Sequence, residues 1–333
     1  IDCDGICSGA ILSTILDRQN KEHEIEFVNL DVLDDIELNH ELTIFSDLGS
    51  GQRVDTKAVK GQKILILDHH PPLRSLDYKD DKDYMYLEIN PLHHGIDGSY
   101  YVCGGGLCYF LAKEFGYNDL SWIGLLSAIG DMQNTRSGNF EGLNEIIQQD
   151  AIDGGYLELK KGDLNIYGRN TRPLFVALSY FSDVNLPITN NTNETMAILE
   201  ELGIDEKHNR KTLSELTDAE KGKLFQRLMS MLTKVVPARY IEHLPKLIIG
   251  DSYTFLKEDD HSFLRDGSEF STAMNACGRN HQEKVALEVL KGDRMLALDE
   301  LESVSKMHRT NLAKAISSVA ESDEKNIIEL ENL

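Results

Sequence analysis

QKILILDHHPP, residues 62–72, is the stretch that decides the architecture of this chain. Ile and Leu fill four consecutive positions, a run that reads as a short buried strand bounded by polar and turn residues. It ends abruptly in Asp68, His69 and His70, followed by Pro71 and Pro72. Two adjacent imidazoles at the mouth of a buried strand need partners, so this strand end reads as a site.

Working outward, EIEFVNL (24–30), ELTIFSD (41–47) and MYLEINP (85–91) read as further strands on the same grounds. Between and beyond them, GAILSTILDRQ (9–19), GGGLCYFLAKEFG (104–116) and LSWIGLLSAIGD (120–131) carry apolar residues at helical spacing, with Gly116 as a stop. Strands alternating with helices predict an α/β fold with a doubly wound, mostly parallel sheet. Ligands of such sheets bind at the carboxyl ends of the strands.

From about residue 140 the pattern turns helical, as in FEGLNEIIQQDAI (140–152) and TDAEKGKLFQRLMSML (217–232), with strand character returning in PKLIIGDSYTFL (245–256). A helical tail over 284–316 has one break near Gly292. The natural partition is a first domain over 1–155 and a mostly helical second region over 156–333. A length of 333 residues suits about two domains.

The net charge of −22 argues against non-specific nucleic-acid binding. Its distribution is uneven, because residues 1–150 carry 26 acidic side chains against 11 basic ones. A carboxylate-rich first half could hold divalent cations, and a nucleic acid would need a local basic track in the second half. The five cysteines, Cys3, Cys7, Cys103, Cys108 and Cys277, form no Cys-x-x-Cys pair and read as small buried residues. No apolar run approaches the ~20 residues that span a bilayer, and a cytoplasmic location is expected.

Four places put aspartate or histidine just after a predicted strand or at the end of a predicted helix. They are Asp2 and Asp4 in IDCDG, Asp47 in IFSDLGSG, Asp68 to His70, and Asp131 in AIGDMQ. Gathered at one sheet edge, these carboxylates repel one another unless a cation neutralises them. Carboxylates with histidine suit Mn²⁺ or a related octahedral ion, and paired ions commonly share a bridging carboxylate.

These motifs resemble those of the DHH phosphoesterase superfamily. LDHHPP is similar to its Asp-His-His signature, and IDCDGICSGAIL, SDLGSG and IGDMQ look like its first, second and fourth motifs in order. NPLHHGIDGS, RPLFVALSYFSDVNLP, ILEELGI, RKTLSELTDAEKGKL and FSTAMNACGRN resemble archaeal RecJ-like nucleases, including those associated with the GINS replication complex or the Hef helicase. The resemblance implies a two-ion centre for Mn²⁺, with Mg²⁺ as an alternative. Asp2 and Asp4 would contribute one to each ion, Asp47 would bridge them, His69 would be a metal-ligating histidine, and Asp131 would bind the second ion. It implies that His70 faces the substrate phosphate or leaving oxygen, oriented by Asp68.

The family's first motif usually carries a further ligand two residues before Asp2, and its C-terminal Gly-Gly-x-Gly-His segment has no counterpart in this sequence. The sequence is therefore expected to be part of a longer protein, with one well-occupied ion and one weak position.

The expected reaction is two-ion hydrolysis of a phosphodiester in single-stranded DNA or RNA. Arg279 and Asn275 in NACGRN are the first choice for gripping phosphate, with Arg172 and Arg169 behind them. Two other readings remain: a small-molecule phosphatase of pyrophosphatase type, and a non-catalytic replication scaffold like Cdc45.

Overall fold

Three of the four expected N-terminal strands form in the computed structural model, which describes residues 1–77, 84–181, 185–204 and 211–321. They are β1 (Leu42–Ser46), β2 (Lys63–Leu67) and β3 (Met85–Ile89), paired in the order β1-β2-β3 and parallel throughout. Ser46 lies opposite Leu67, and Leu67 opposite Ile89. That register brings Asp47, Asp68 and Asn90 out side by side at the carboxyl edge. One face of the sheet buries Phe45, Ile64 and Ile66 against Leu33, Val54 and Ala58. Ile66 is fully enclosed, so Ile66→Ala would cost about 2–5 kcal/mol.

EIEFVNL does not join the sheet. Its side chains are used nonetheless: Phe27 packs beside Gly9, and Val28 lies against the core under β1 and β2. Apolar composition reported burial here, whereas a strand also needs a neighbouring backbone to pair with.

Helix α1 (Cys3–Arg18) begins at Asp2, whose carboxylate caps the Gly5 N–H at 3.2 Å. It packs on α2 (Gly104–Glu114) and α3 (Ser121–Gly130), which also pack on each other. All five cysteines are buried and unbridged. Gly116, at φ +80°, ends the chain path of α2 as its sequence position suggests.

The second region is largely helical, with α4 (Leu143–Asp153), α5 (Leu174–Ser179), α6 (Thr192–Glu201), α7 (Asp218–Val235) and α8 (Pro245–Ile248). It also contains an antiparallel pair, β4 (Leu157–Leu164) and β5 (Ile249–Phe255). Glu158, Lys160, Lys161 and the buried Asp163 hid β4 in the sequence, because they leave it without a continuous apolar face. Leu174, Leu178, Leu199, Leu224, Leu228 and Leu232 centre the helical core. Thr217 and Glu220 form a reciprocal cap at the start of α7.

The C-terminal part comprises α9 (Gly267–Arg279), α10 (Glu283–Leu290) and α11 (Leu296–Glu321), the last two separated at Gly292. The chain divides into two compact units, Ile1–Asp131 with Ser271–Leu333, and Met132–Phe270. This differs from the expected break near residue 155. The reason is long-range packing: α10 returns to α1, burying Ala286, Val289 and Leu290. Among the described residues no helix is long and apolar enough to cross a membrane.

Candidate metal centre

The first unit brings its expected acidic and imidazole side chains together. Asp47 follows β1 in the left-handed conformation, φ +62°, and its N–H donates to Leu67 O at 2.9 Å. Aspartate tolerates this backbone better than most residues do. Asp4, in the first turn of α1, is 1% exposed. Its two oxygens accept the Gly104 and Gly105 N–H groups, at 2.8 and 2.7 Å, and the Ser127 hydroxyl. Asp131 caps the end of α3.

His69 stands at the centre. Its Nδ1 lies 2.8 Å from Gly98 O, which makes Nδ1 the donor and turns the Nε2 lone pair inward. Nε2 is 3.2 Å from Asp47 Oδ1 and 3.5 Å from Asp4 Oδ2, and Asp131 Oδ2 lies 3.9 Å from Nδ1. Asp47 Oδ1 is buried and accepts no hydrogen bond of good geometry. Two groups can each gather three ligand atoms around one point: Asp47, His69 and His70, and Asp4, His69 and Asp131. Converging lone pairs with an orphaned buried oxygen fit a divalent cation.

Titration reflects the same crowding. Burial pushes the Asp47 carboxyl well up, and the Asp4 charge adds to it. For His69, burial opposes the charge, but Asp47, Asp4 and Asp131 outweigh it and raise the imidazole to about 10. Without a cation, therefore, the cluster holds a proton between His69 and Asp47.

His70 has a different setting. Its Nδ1 bonds Asp68 Oδ1 at 2.8 Å, which raises its pKa, while its side chain remains 55% exposed. Burial works against the Asp68 anion, yet bonds from His70 and from the Ser50 N–H (2.9 Å) hold its pKa low. Asp2 is exposed at the α1 cap. A Cβ at Gly5 would lie 3.5 Å from Asp47 Oδ2 and 3.9 Å from Asp2 Oδ1, so this glycine leaves open a gap that both carboxylates border.

The expected phosphate-gripping residues separate. Asn275 belongs to the same unit and accepts the Cys3 N–H at 2.8 Å through Oδ1. Arg279, one turn further along α9, is exposed and forms no ion pair among the described residues. Arg169 and Arg172 lie in the other unit. Arg169 is buried and paired with Asp163 at 2.7 Å, so it has no free face for a polymer. Arg172 stacks on Tyr167 and Tyr180, its guanidinium carbon 4.7 and 5.7 Å from the ring centres.

Sequence reasoning missed the residues that hold the ligands. Gly98 meets His69 so closely that any Cβ would collide with it, and a Cβ at Gly104 would lie 2.7 Å from that of Asp47. Asn90 ties Ser50 Oγ (2.9 Å) to His70 O (2.8 Å), and Ser127 serves Asp4. The glycines left a signal: three in a row at a helix start are costly unless another backbone must approach.

Comparison with known proteins bears on the family and the fold. The family model for the DHH-CID domain matches residues 166–245. The uncharacterized protein MJ0831 of Methanocaldococcus jannaschii is 30% identical over 327 residues, covering 96% of this chain and 68% of that protein. CDC45 from Entamoeba histolytica has a similar fold, at TM-score 0.65 and 14% identity, over 94% of this chain and 68% of that one. A structure of exonuclease RecJ bound to manganese aligns at TM-score 0.44 and 14% identity, over 96% of this chain and 61% of that one.

Fold and site together define a DHH-type α/β protein with a candidate carboxylate–imidazole metal centre. The chain belongs to the DHH family, and its fold is like that of CDC45.

Proposed function

We propose that this protein is a Mn²⁺-dependent phosphodiesterase that hydrolyses single-stranded DNA or RNA. One observation carries the reading: buried oxygens of Asp47 and Asp4 converge on His69 Nε2, at 3.2 and 3.5 Å, and Asp47 Oδ1 accepts no hydrogen bond of good geometry. Asp4, Asp47, His69 and Asp131 would hold one divalent ion, and Asp2 with Asp47 a second. Such ions supply Lewis-acid stabilisation of a phosphoryl group and acidify bound water.

The chain's own residues do the rest. Asp68 raises the pKa of His70, and with Nδ1 engaged on Asp68 the half-exposed ring can turn Nε2 toward a leaving oxygen. Gly98 fixes the His69 tautomer, which keeps the Nε2 lone pair available. Arg279, exposed and without an ion pair among the described residues, suits a backbone phosphate.

The fold likeness to CDC45 keeps a second reading in play, a scaffold that binds a replication assembly of the GINS type without chemistry. The convergence of Asp4, Asp47, His69 and Asp131 supports catalysis, since a scaffold has no need of several carboxylates around one buried imidazole. Incubation of labelled single-stranded DNA, RNA and pyrophosphate with and without Mn²⁺ decides. Metal-dependent shortening of an oligonucleotide is expected; release of phosphate from pyrophosphate alone, or binding without turnover, would replace this reading.

A further inference from the structure

Asp2 and Asp4 sit in one turn of chain but are anchored differently. Asp4 is over-determined, since two backbone N–H groups and the Ser127 hydroxyl fix both its oxygens. Asp2 is exposed, and among the described residues its carboxylate bonds only within its own turn, to Gly5. The position of Asp2 therefore depends on what holds the Ile1–Cys3 backbone.

Helix α9 holds it. Asn275 Oδ1 accepts the Cys3 N–H at 2.8 Å, across 272 residues of sequence. Cys3 opens α1, so its N–H has no partner inside the helix and must find one elsewhere. One turn beyond Asn275's own, Gly278 lies so close that a Cβ there would stand 2.5 Å from Ile1 O. The same face of α9 thus clasps the turn at two points. Asp2, at the end of the clasped turn, borders with Asp47 the gap above Gly5.

We propose that Asn275 is a positioning residue for Asp2, setting the ion seat that Asp2 shares with Asp47 and leaving the seat at Asp4, His69 and Asp131 independent. This assignment rests on the two-ion reading. Residues that orient metal ligands typically change affinity about 10–100-fold when removed.

The test is Mn²⁺ titration by calorimetry of the full chain, with thermal melts of every variant. In the parent protein a tighter and a weaker site are expected. Asn275→Ala should weaken the weaker site about tenfold while the tighter one shifts less than threefold. Asn275→Asp keeps the acceptor for the Cys3 N–H and should restore the weaker site. Leu199→Ala, which loosens the core of the other unit, should move neither site. Parallel weakening of both sites by Asn275→Ala, or failure of Asn275→Asp to restore binding, would overturn the positioning role alone. A parent chain that binds no Mn²⁺ would overturn the two-ion reading and this role with it.

Discussion

Each unit of the protein buries a cluster of ionisable side chains, and the two clusters are built on opposite plans. In the Met132–Phe270 unit, Asp163 accepts from Lys221 at 2.8 and 2.9 Å and from Arg169 at 2.7 Å, and Asp266 lies 3.8 Å from Arg169. Burial works against the Asp163 anion, yet Lys221 and Arg169 keep its pKa low. Asp163 is matched by two cations within the chain. In the other unit Asp4, Asp47 and Asp131 surround one imidazole, and burial drives Asp47 upward. The first cluster is complete as folded; the second acquires its missing charge from a proton or a metal ion. A buried carboxylate marks a functional site only where the fold withholds the cation.

The sharpest way to break this contrast is to remove a ligand. Asp47→Ala or His69→Ala should abolish Mn²⁺-dependent hydrolysis, a loss of at least about 10³-fold in kcat/KM. Retention of most activity by either variant removes the metal assignment. The opposite behaviour is expected of the matched cluster. Asp163→Asn leaves Lys221 and Arg169 buried without their anion and should cost about 3–5 kcal/mol of stability in urea unfolding, with no direct effect on metal affinity. A neutral Asp163→Asn would show that this cluster is not the self-sufficient one.

Proton release sharpens the comparison further. Because His69 titrates near 10 in the ion-free protein, binding at neutral pH must displace a proton. Calorimetry in buffers of different ionisation heat should report about one proton released at the tighter site, with affinity rising as pH increases toward 10. In chelator the sign reverses: a His raised above its ordinary value of 6.5 stabilises the fold below that pH, and the contribution fades between 6.5 and about 10. Asp47→Asn should flatten that decline, and an unchanged slope would place the proton elsewhere. The smallest effect is expected at Arg279. Arg279→Ala should weaken oligonucleotide binding and lower its salt slope by about one, whereas an unaltered slope removes Arg279 from the backbone contact.

The candidate ligands and the parallel strands could be read from the chain because each depends on local pattern. A run such as ILIL between turn residues makes a strand in almost any α/β context, and aspartate and histidine at its end are visible as letters. Pairing cannot be read in that way: EIEFVNL had the composition of a strand and found no backbone partner, while LELKKGDL paired with β5 despite its charges. Arg169 and Asn275 looked like hands for a substrate; the structure pairs Arg169 with Asp163 and turns the Asn275 Oδ1 to the Cys3 N–H.

By itself the sequence determined the kinds of candidate ligand, their order and the sheet that carries them, since these follow from side-chain chemistry and short-range periodicity. The tertiary structure decided which charges meet. Gly104 and Gly105 come within reach of Asp4, Gly98 aims His69, and α9 closes on Ile1–Cys3, all through contacts far apart in sequence. Such contacts depend on how helices pack on the sheet, and no local pattern encodes the distance between two carboxylates.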